Sequence, residues 1–154
     1  MSSIALSFVI PLYRSAETIG ALVRDIEGLQ VEGGHEIVLV HDGSGPETSG
    51  ACREVLRTAR VPITLIEHAR NFGEHNAVLT GWRHARGEYV VNLDDDGQNP
   101  PAEAVRMWRH AREQQLASVP GLESMTSVNS MGSTQVTLEF DLSRGLDGAA
   151  VDVQ

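Results

Sequence analysis

Glu88-Tyr89-Val90-Val91-Asn92-Leu93-Asp94-Asp95-Asp96-Gly97-Gln98-Asn99-Pro100-Pro101 runs from apolar residues into three consecutive acids and then into two prolines. Residues 88–93 read as a strand buried on both faces, because a near-continuous apolar run marks a parallel sheet. Pro100-Pro101 opens a helix, proline being best tolerated in a first turn. Gly87 closes an earlier helix near Glu74–Arg86, which presents Ala77, Val78, Gly81, Trp82 and Ala85 on one side. Towards the N-terminus the same alternation recurs. Ile4–Ile10 is a second buried run, and Ser15 is placed to cap a helix carrying Ile19, Leu22, Val23, Ile26 and Leu29 at helical spacing. After Gly33-Gly34 come a strand over Glu36–Val40, a helix from Pro46 to Arg60 and a strand over Pro62–Ile66. Strands alternating with helices through short loops imply right-handed crossovers and a parallel sheet. The expected fold is α/β: a parallel Rossmann-like sheet with helices on both faces.

The 154 residues suit one domain with a short appendage. An apolar content of 41% and a mean hydropathy of −0.16 allow an ordinary core. No apolar run is long enough to span a membrane, and the N-terminus lacks the basic region of a signal peptide. The single cysteine, Cys52, excludes an intramolecular disulfide and reads as a small packed residue. A net charge of −9 argues against a nucleic-acid partner. All 12 basic residues are Arg. The absence of Lys excludes P-loop NTPases, kinases and Schiff-base enzymes. Composition also changes along the chain: residues 1–112 hold all 6 His and both Trp, whereas residues 113–154 hold one Arg among many Ser and Thr.

In open parallel sheets the ligand lies beyond the carboxyl ends of the strands. The polar residues collect there: Pro11-Leu12-Tyr13-Arg14, Asp42-Gly43-Ser44 and Asp94-Asp95-Asp96-Gly97-Gln98. The first of these loops has no glycine before Gly20, so the dinucleotide fingerprint is absent. Three adjacent carboxylates repel unless a cation neutralises them. Hard oxygen donors suit Mg²⁺ or Mn²⁺. A solvated acidic loop or a helix cap would also place acids here, but the setting between a buried strand and Pro100-Pro101 favours the cation. In an extended segment Asp94 and Asp96 share a side and Asp95 points elsewhere. His41, His68, His75, His84 and His110 lack H-E-x-x-H spacing and read as surface residues. Trp82 and Trp108 read as core.

Ser7–Tyr13, Val38–Ser44, Arg70–Gly81 and Arg86–Pro101 together resemble family 2 glycosyltransferases, nearest the polyprenyl-phosphate hexosyltransferases. The resemblance covers roughly residues 3–112. It implies a GT-A fold and transfer of a sugar from a UDP- or GDP-linked donor with a divalent metal. It implies that Pro11 and Tyr13 contact the nucleoside and that Glu17 lies at the base or ribose. It implies that Asp42 binds the base, and that Arg70, Asn71 and Gly73 form a loop near the nucleotide. Asp94 and Asp96 match the D-x-D motif, with Gln98 completing the metal and diphosphate contacts. It implies a polyprenyl-phosphate acceptor at a membrane surface and a cytoplasmic location, peripheral to the membrane in the full-length parent. Three positions depart from the pattern: His41 for the first Asp of D-D-G-S, Arg14 for Asn, and Gly97 for Leu. The catalytic base is not identified.

Over roughly residues 114–154 the chain resembles instead a porter-domain segment of resistance-nodulation-division efflux transporters, which contributes no catalytic residue. The expectation is a chimera: a GT-A nucleotide-sugar-binding half-domain over 1–112, lacking its acceptor half, and a tail over 113–154. Within that tail Thr134–Leu142 alternates as a half-exposed strand. The fourth strand is then expected to expose an edge prone to self-association unless Thr134–Leu142 covers it. A non-catalytic nucleotide-binding module and a structural fragment are the rival function classes.

Overall fold

The computed structural model describes residues 4–113, 122–130 and 133–140. Its elements are β1 (Leu6–Leu12), α1 (Ile19–Glu27), β2 (His35–His41), α2 (Pro46–Thr58), β3 (Ile63–Glu67), α3 (Glu74–His84), β4 (Tyr89–Asn92), α4 (Pro101–Glu113), β5 (Leu122–Ser130) and β6 (Ser133–Phe140). The sheet order is β3-β2-β1-β4-β5-β6. β1 pairs in parallel with β2 and β4, and β2 with β3.

The apolar runs form buried strands because both of their faces are covered. Phe8, Ile10, Leu12, Ile37, Leu39 and Val91 pack under α1, α2 and α4, where Trp108 is 1% exposed. On the opposite face Val9, Val38, Val40 and Val90 pack with Ala77 of α3. Gly81 sets that distance. A Cβ at this position would overlap the Val9 side chain, so only glycine lets α3 lie this close to β1. Trp82 is half-buried rather than core, its indole N–H donating to Asn92 Oδ1 at 2.8 Å.

Two local expectations are corrected. Ser15 does not cap α1: it is buried, its hydroxyl accepts the Tyr13 N–H, and its carbonyl takes the Thr18 and Ile19 amides in a turn before the helix. The edge of β4 is not free either. β5 pairs with it in parallel, and β6 lies outside β5, antiparallel to it. Thr134–Leu142 therefore falls mostly in β6 rather than against β4, with Asp141 and Leu142 outside the described residues. Residues 122–130 contain neither Gly nor Pro, so nothing in their backbone opposes a strand despite a Ser-rich composition.

β1 leads outward to β2 and β3, while α3 returns across the sheet to β4 on the other side of β1. The carboxyl ends of β1 and β4 thus flank a topological switch point, where an open sheet leaves a crevice.

Candidate functional site

A cleft of about 440 Å³ opens at that point, lined by Pro11, Leu12, Tyr13, Asp42, Asn71, Gly73, Glu74, Ala77, Asp94, Asp95 and Asp96. The volume suits a small organic ligand. Three strand ends build it.

The β1 end supplies Pro11 and Tyr13. Tyr13 is 49% exposed, a large ring left open at the mouth rather than packed at the core edge. The adjacent Arg14 adopts φ 55°, the left-handed region, and its amide donates to Ser44 Oγ at 2.8 Å. Its guanidinium lies 5.3 Å from the centre of the Tyr13 ring. Asn tolerates that backbone better than Arg, which gives the departure from the family pattern a physical meaning. Arg14→Asn is expected to raise stability by about 0.5–1 kcal/mol in urea unfolding, the relieved strain exceeding the lost ring contact. A fall in stability would show that the contact with Tyr13 dominates.

The β2 end supplies Asp42, only 3% exposed. Its Oδ1 accepts the Phe72 amide at 2.9 Å and faces His68 Nδ1 at 2.7 Å, and its Oδ2 accepts the Gly73 amide at 2.9 Å. Burial pushes the Asp42 carboxyl up, but the Phe72 amide, His68 and the Gly73 amide together outweigh it and hold the group below its ordinary value. Gly43, at φ 64°, lies under the 70–71 backbone, and a Cβ there would come within 2.7 Å of Arg70 Cα. The loop after β3 therefore closes directly onto the end of β2.

The β4 end supplies the acids. The chain leaves extended geometry at Asp95, and all three aspartates line the cleft. The extended-strand argument for turning Asp95 away does not hold in this turn. Asp95 Oδ2 accepts the Thr18 hydroxyl at 3.0 Å, and Asp96 Oδ1 accepts the Gln98 amide at 3.0 Å. Asp94 carries the electrostatic cost. Burial first, then Glu74, Asp96 and Asp95, push its carboxyl above the ordinary range.

Of the residues expected at the site, Pro11, Tyr13, Asp42, Asn71, Gly73, Asp94 and Asp96 meet in the cleft. Glu17, Arg70 and Gln98 are exposed and do not line it. The Arg70 guanidinium instead lies 4.8 Å from the centre of the Phe72 ring. Glu74 and His68 were not foreseen. Glu74 opens α3 directly after Gly73, and His68 follows the last residue of β3, so the rule that ligands gather at strand ends would have reached His68. His41 and His68 are not surface residues: His41 is 5% exposed, and the His68 side chain 12%. His41 Nε2 accepts the Ser44 amide at 3.1 Å, which places its ring proton on Nδ1, towards Glu67. His75, His84 and His110 are exposed as expected. Cys52 is fully buried and its thiol is pushed up to about 11, chiefly by burial.

The model of the family "Glycosyl transferase family 2" matches residues 7–129. Among curated proteins, the undecaprenyl-phosphate 4-deoxy-4-formamido-L-arabinose transferase of Pseudomonas fluorescens is 36% identical over 103 residues, covering 66% of this chain and 30% of that protein. Its namesake from an Enterobacter species is 36% identical over 109 residues, covering 70% and 33%. The chain spans about a third of the length of these relatives. Among solved structures, the mannosyltransferase PcManGT from Pyrobaculum calidifontis, in complex with GDP-Man and Mn²⁺, superposes with a TM-score of 0.59 at 28% identity. That match covers 67% of this chain and 31% of that one. S. aureus TarS 1-349 superposes with a TM-score of 0.64 at 18% identity, over 86% and 39%, a likeness of fold.

Proposed function

The chain belongs to glycosyl transferase family 2, and on that premise we propose that it binds a UDP- or GDP-linked sugar for transfer to a polyprenyl-phosphate acceptor. The observation that carries this reading is the cleft at the switch point, where Tyr13, Asp42 and the Asp94–Asp96 acids converge from three strand ends.

The residues fit a divalent cation, Mg²⁺ or Mn²⁺. Asp94 is raised by burial and by three neighbouring carboxylates, a charge that a cation would relieve. Among the described residues no group of three or more His, Cys, Asp or Glu side chains is placed to hold a metal ion by itself. That agrees with an ion shared between one or two carboxylates and substrate phosphates. Asp94 and Asp96 would hold it, with Gln98 in support. Bound there, the ion would neutralise charge on the departing diphosphate.

The chain's own residues do the rest in this reading. Tyr13 offers a ring to the nucleoside. Asp42 Oδ2 has accepted a single protein hydrogen bond and keeps acceptor capacity for a base N–H. In the transfer, an acceptor phosphate oxygen bonds to the sugar's anomeric carbon as the bond to the diphosphate oxygen breaks. A phosphate acceptor is already anionic and needs no general base. The names of the curated relatives support this acceptor class, and GDP-Man with Mn²⁺ in PcManGT supports the donor and metal classes. Among the described residues no helix is long and apolar enough to cross a membrane; a polyprenyl-phosphate acceptor would bring the chain to a membrane surface.

We extend the proposal to the C-terminal segment, as a piece akin to an efflux-transporter porter domain. The crowding of His, Trp and Arg into residues 1–112 supports it. That segment is the tail over 113–154, and the family match extends into its first part, to residue 129.

A thermal-shift screen of nucleoside diphosphates tests the main reading. Near a hundredfold excess over Kd, binding adds about 2.7 kcal/mol of stability, a rise of roughly 5–10 °C. UDP or GDP should give that rise with Mn²⁺ and a smaller one with EDTA. No shift with any nucleotide, with or without metal, would overturn it.

A further inference from the structure

Building on the nucleotide reading, we propose that the base subsite selects uracil over guanine, because Asp42 keeps one acceptor position for a ligand and Asn71 sets an N–H donor beside it.

The acceptor side can be counted. An ionised carboxylate offers about four lone-pair positions. Asp42 Oδ1 accepts the Phe72 amide at 2.9 Å, and His68 Nδ1 stands 2.7 Å from the same oxygen. A carboxylate only accepts, so that nitrogen donates whichever charge its ring carries. Oδ1 is thereby filled. Oδ2 accepts the Gly73 amide at 2.9 Å and keeps one position. Burial raises the Asp42 carboxyl, but these donors outweigh it and keep the group ionised at neutral pH. Asp42 is 3% exposed and lines the cleft, so the open position serves what the cleft holds.

The donor side is fixed by the same loop. The Gly73 amide lies 2.8 Å from Asn71 Oδ1 as well as 2.9 Å from Asp42 Oδ2. A backbone N–H only donates, so the Asn71 carboxamide turns its oxygen to Gly73 and its NH₂ group away. Among the described residues that NH₂ group has no partner, and Asn71 lines the cleft. Two acceptors that meet on one amide are neighbours, which puts the free NH₂ group beside the open Asp42 position.

Uracil matches this edge. Its N3–H donates once, to Asp42 Oδ2, and an adjacent carbonyl accepts from Asn71 Nδ2. Its other carbonyl is left for a free donor; the Arg14 guanidinium, over the exposed Tyr13 ring at the mouth, pairs with no carboxylate among the described residues. Guanine presents two donors side by side, N1–H and the 2-amino group. The second meets Oδ1, whose positions the Phe72 amide and His68 already occupy, and a donor left unpaired in a closed site weakens binding. Glu74 does not rescue it: this carboxylate adds, after burial, to the rise of Asp94 and so stands on the side of the β4 acids. Cytosine fails differently, because its N3 is an acceptor and faces a carboxylate.

Competition titrations of the whole chain with Mn²⁺ test the selection, using UDP, GDP, CDP and N3-methyl-UDP. UDP should bind about tenfold more tightly than GDP or CDP, and the N3 methyl group should cost UDP about tenfold. Asn71→Asp retains an oxygen for the Gly73 amide but exchanges the free donor for an acceptor. It should weaken UDP by about tenfold and move the UDP-to-GDP ratio towards GDP. GDP as tight as UDP, or N3-methyl-UDP as tight as UDP, would overturn the selection and leave the nucleotide reading standing. An unchanged UDP-to-GDP ratio in Asn71→Asp would overturn it too, since the donor beside Asp42 would have no part. The wild-type ratios decide the matter even if Asn71→Asp does not fold. No binding of any of these nucleotides would overturn the selection and the nucleotide reading together.

Discussion

Asp42→Ala is expected to cost about 3–5 kcal/mol of folding stability and to remove nucleotide binding with or without metal. Removing an acceptor on which several buried donors converge leaves each of them unsatisfied, and that penalty exceeds the net value of the bonds themselves. Here the stranded groups are the His68 ring and the Phe72 and Gly73 amides, all of which converge on this carboxylate. Asp42→Asn keeps the shape and should lose about 1.5–3 kcal/mol, the range for a hydrogen bond to a charged group. Urea unfolding measures both. The pH dependence has a definite sign. Because the folded Asp42 lies below its ordinary value of 3.8, its contribution is complete above that value and disappears as pH falls through the folded one. The stability gap between wild type and Asp42→Asn should therefore narrow in acid. A gap unchanged at low pH would show that the carboxylate charge is not what holds the loop.

Asp94→Asn should act in the opposite direction on the free protein. Burial, Glu74, Asp96 and Asp95 raise the folded Asp94 above its ordinary value, so its ionisation at neutral pH opposes folding. The protonated form's advantage is fully present below pH 3.8 and is lost as pH rises through the folded value. Without nucleotide, Asp94→Asn should melt above wild type at pH 7, and the two should converge in acid. With Mn²⁺ and nucleotide the order should reverse, because the variant forgoes most of the roughly 2.7 kcal/mol that saturating ligand adds. A variant that gains stability yet keeps full Mn²⁺-dependent nucleotide binding would remove Asp94 from the metal site.

The parallel sheet was legible because its strands are buried on both faces. Val9 and Val38 serve one core and Phe8 and Ile37 the other, so each strand reads as an unbroken apolar run. Proline and glycine marked the ends of the elements between them. β5 was illegible for the converse reason, since its polar sequence carries no alternation, although it pairs in parallel with β4. Ser15 has the chemistry of a cap, but tertiary contacts bury it and pull its amide to Thr48 at 3.1 Å. At the site, Asp42, Asp94 and Asp96 could be read because strand ends face the crevice and clustered charge needs a partner. The same rule reaches His68 at the end of β3, but not its partners: Asp42 and Thr80 lie 26 and 12 residues away in sequence, and no local pattern records that meeting. Glu74 was hidden likewise, becoming a neighbour of Asp94 only once α3 has crossed the sheet.

A cation shared, as proposed, between the Asp94–Asp96 carboxylates and a diphosphate makes the two ligands reciprocal: each must tighten the other by the same factor. Calorimetric titration of Mn²⁺ into the chain, with and without saturating UDP or GDP, measures that factor directly. One of the two nucleotides should tighten Mn²⁺ at least tenfold, and Mn²⁺ should tighten that nucleotide equally. Mn²⁺ binding indifferent to both nucleotides, or no Mn²⁺ binding in their presence, would contradict the account.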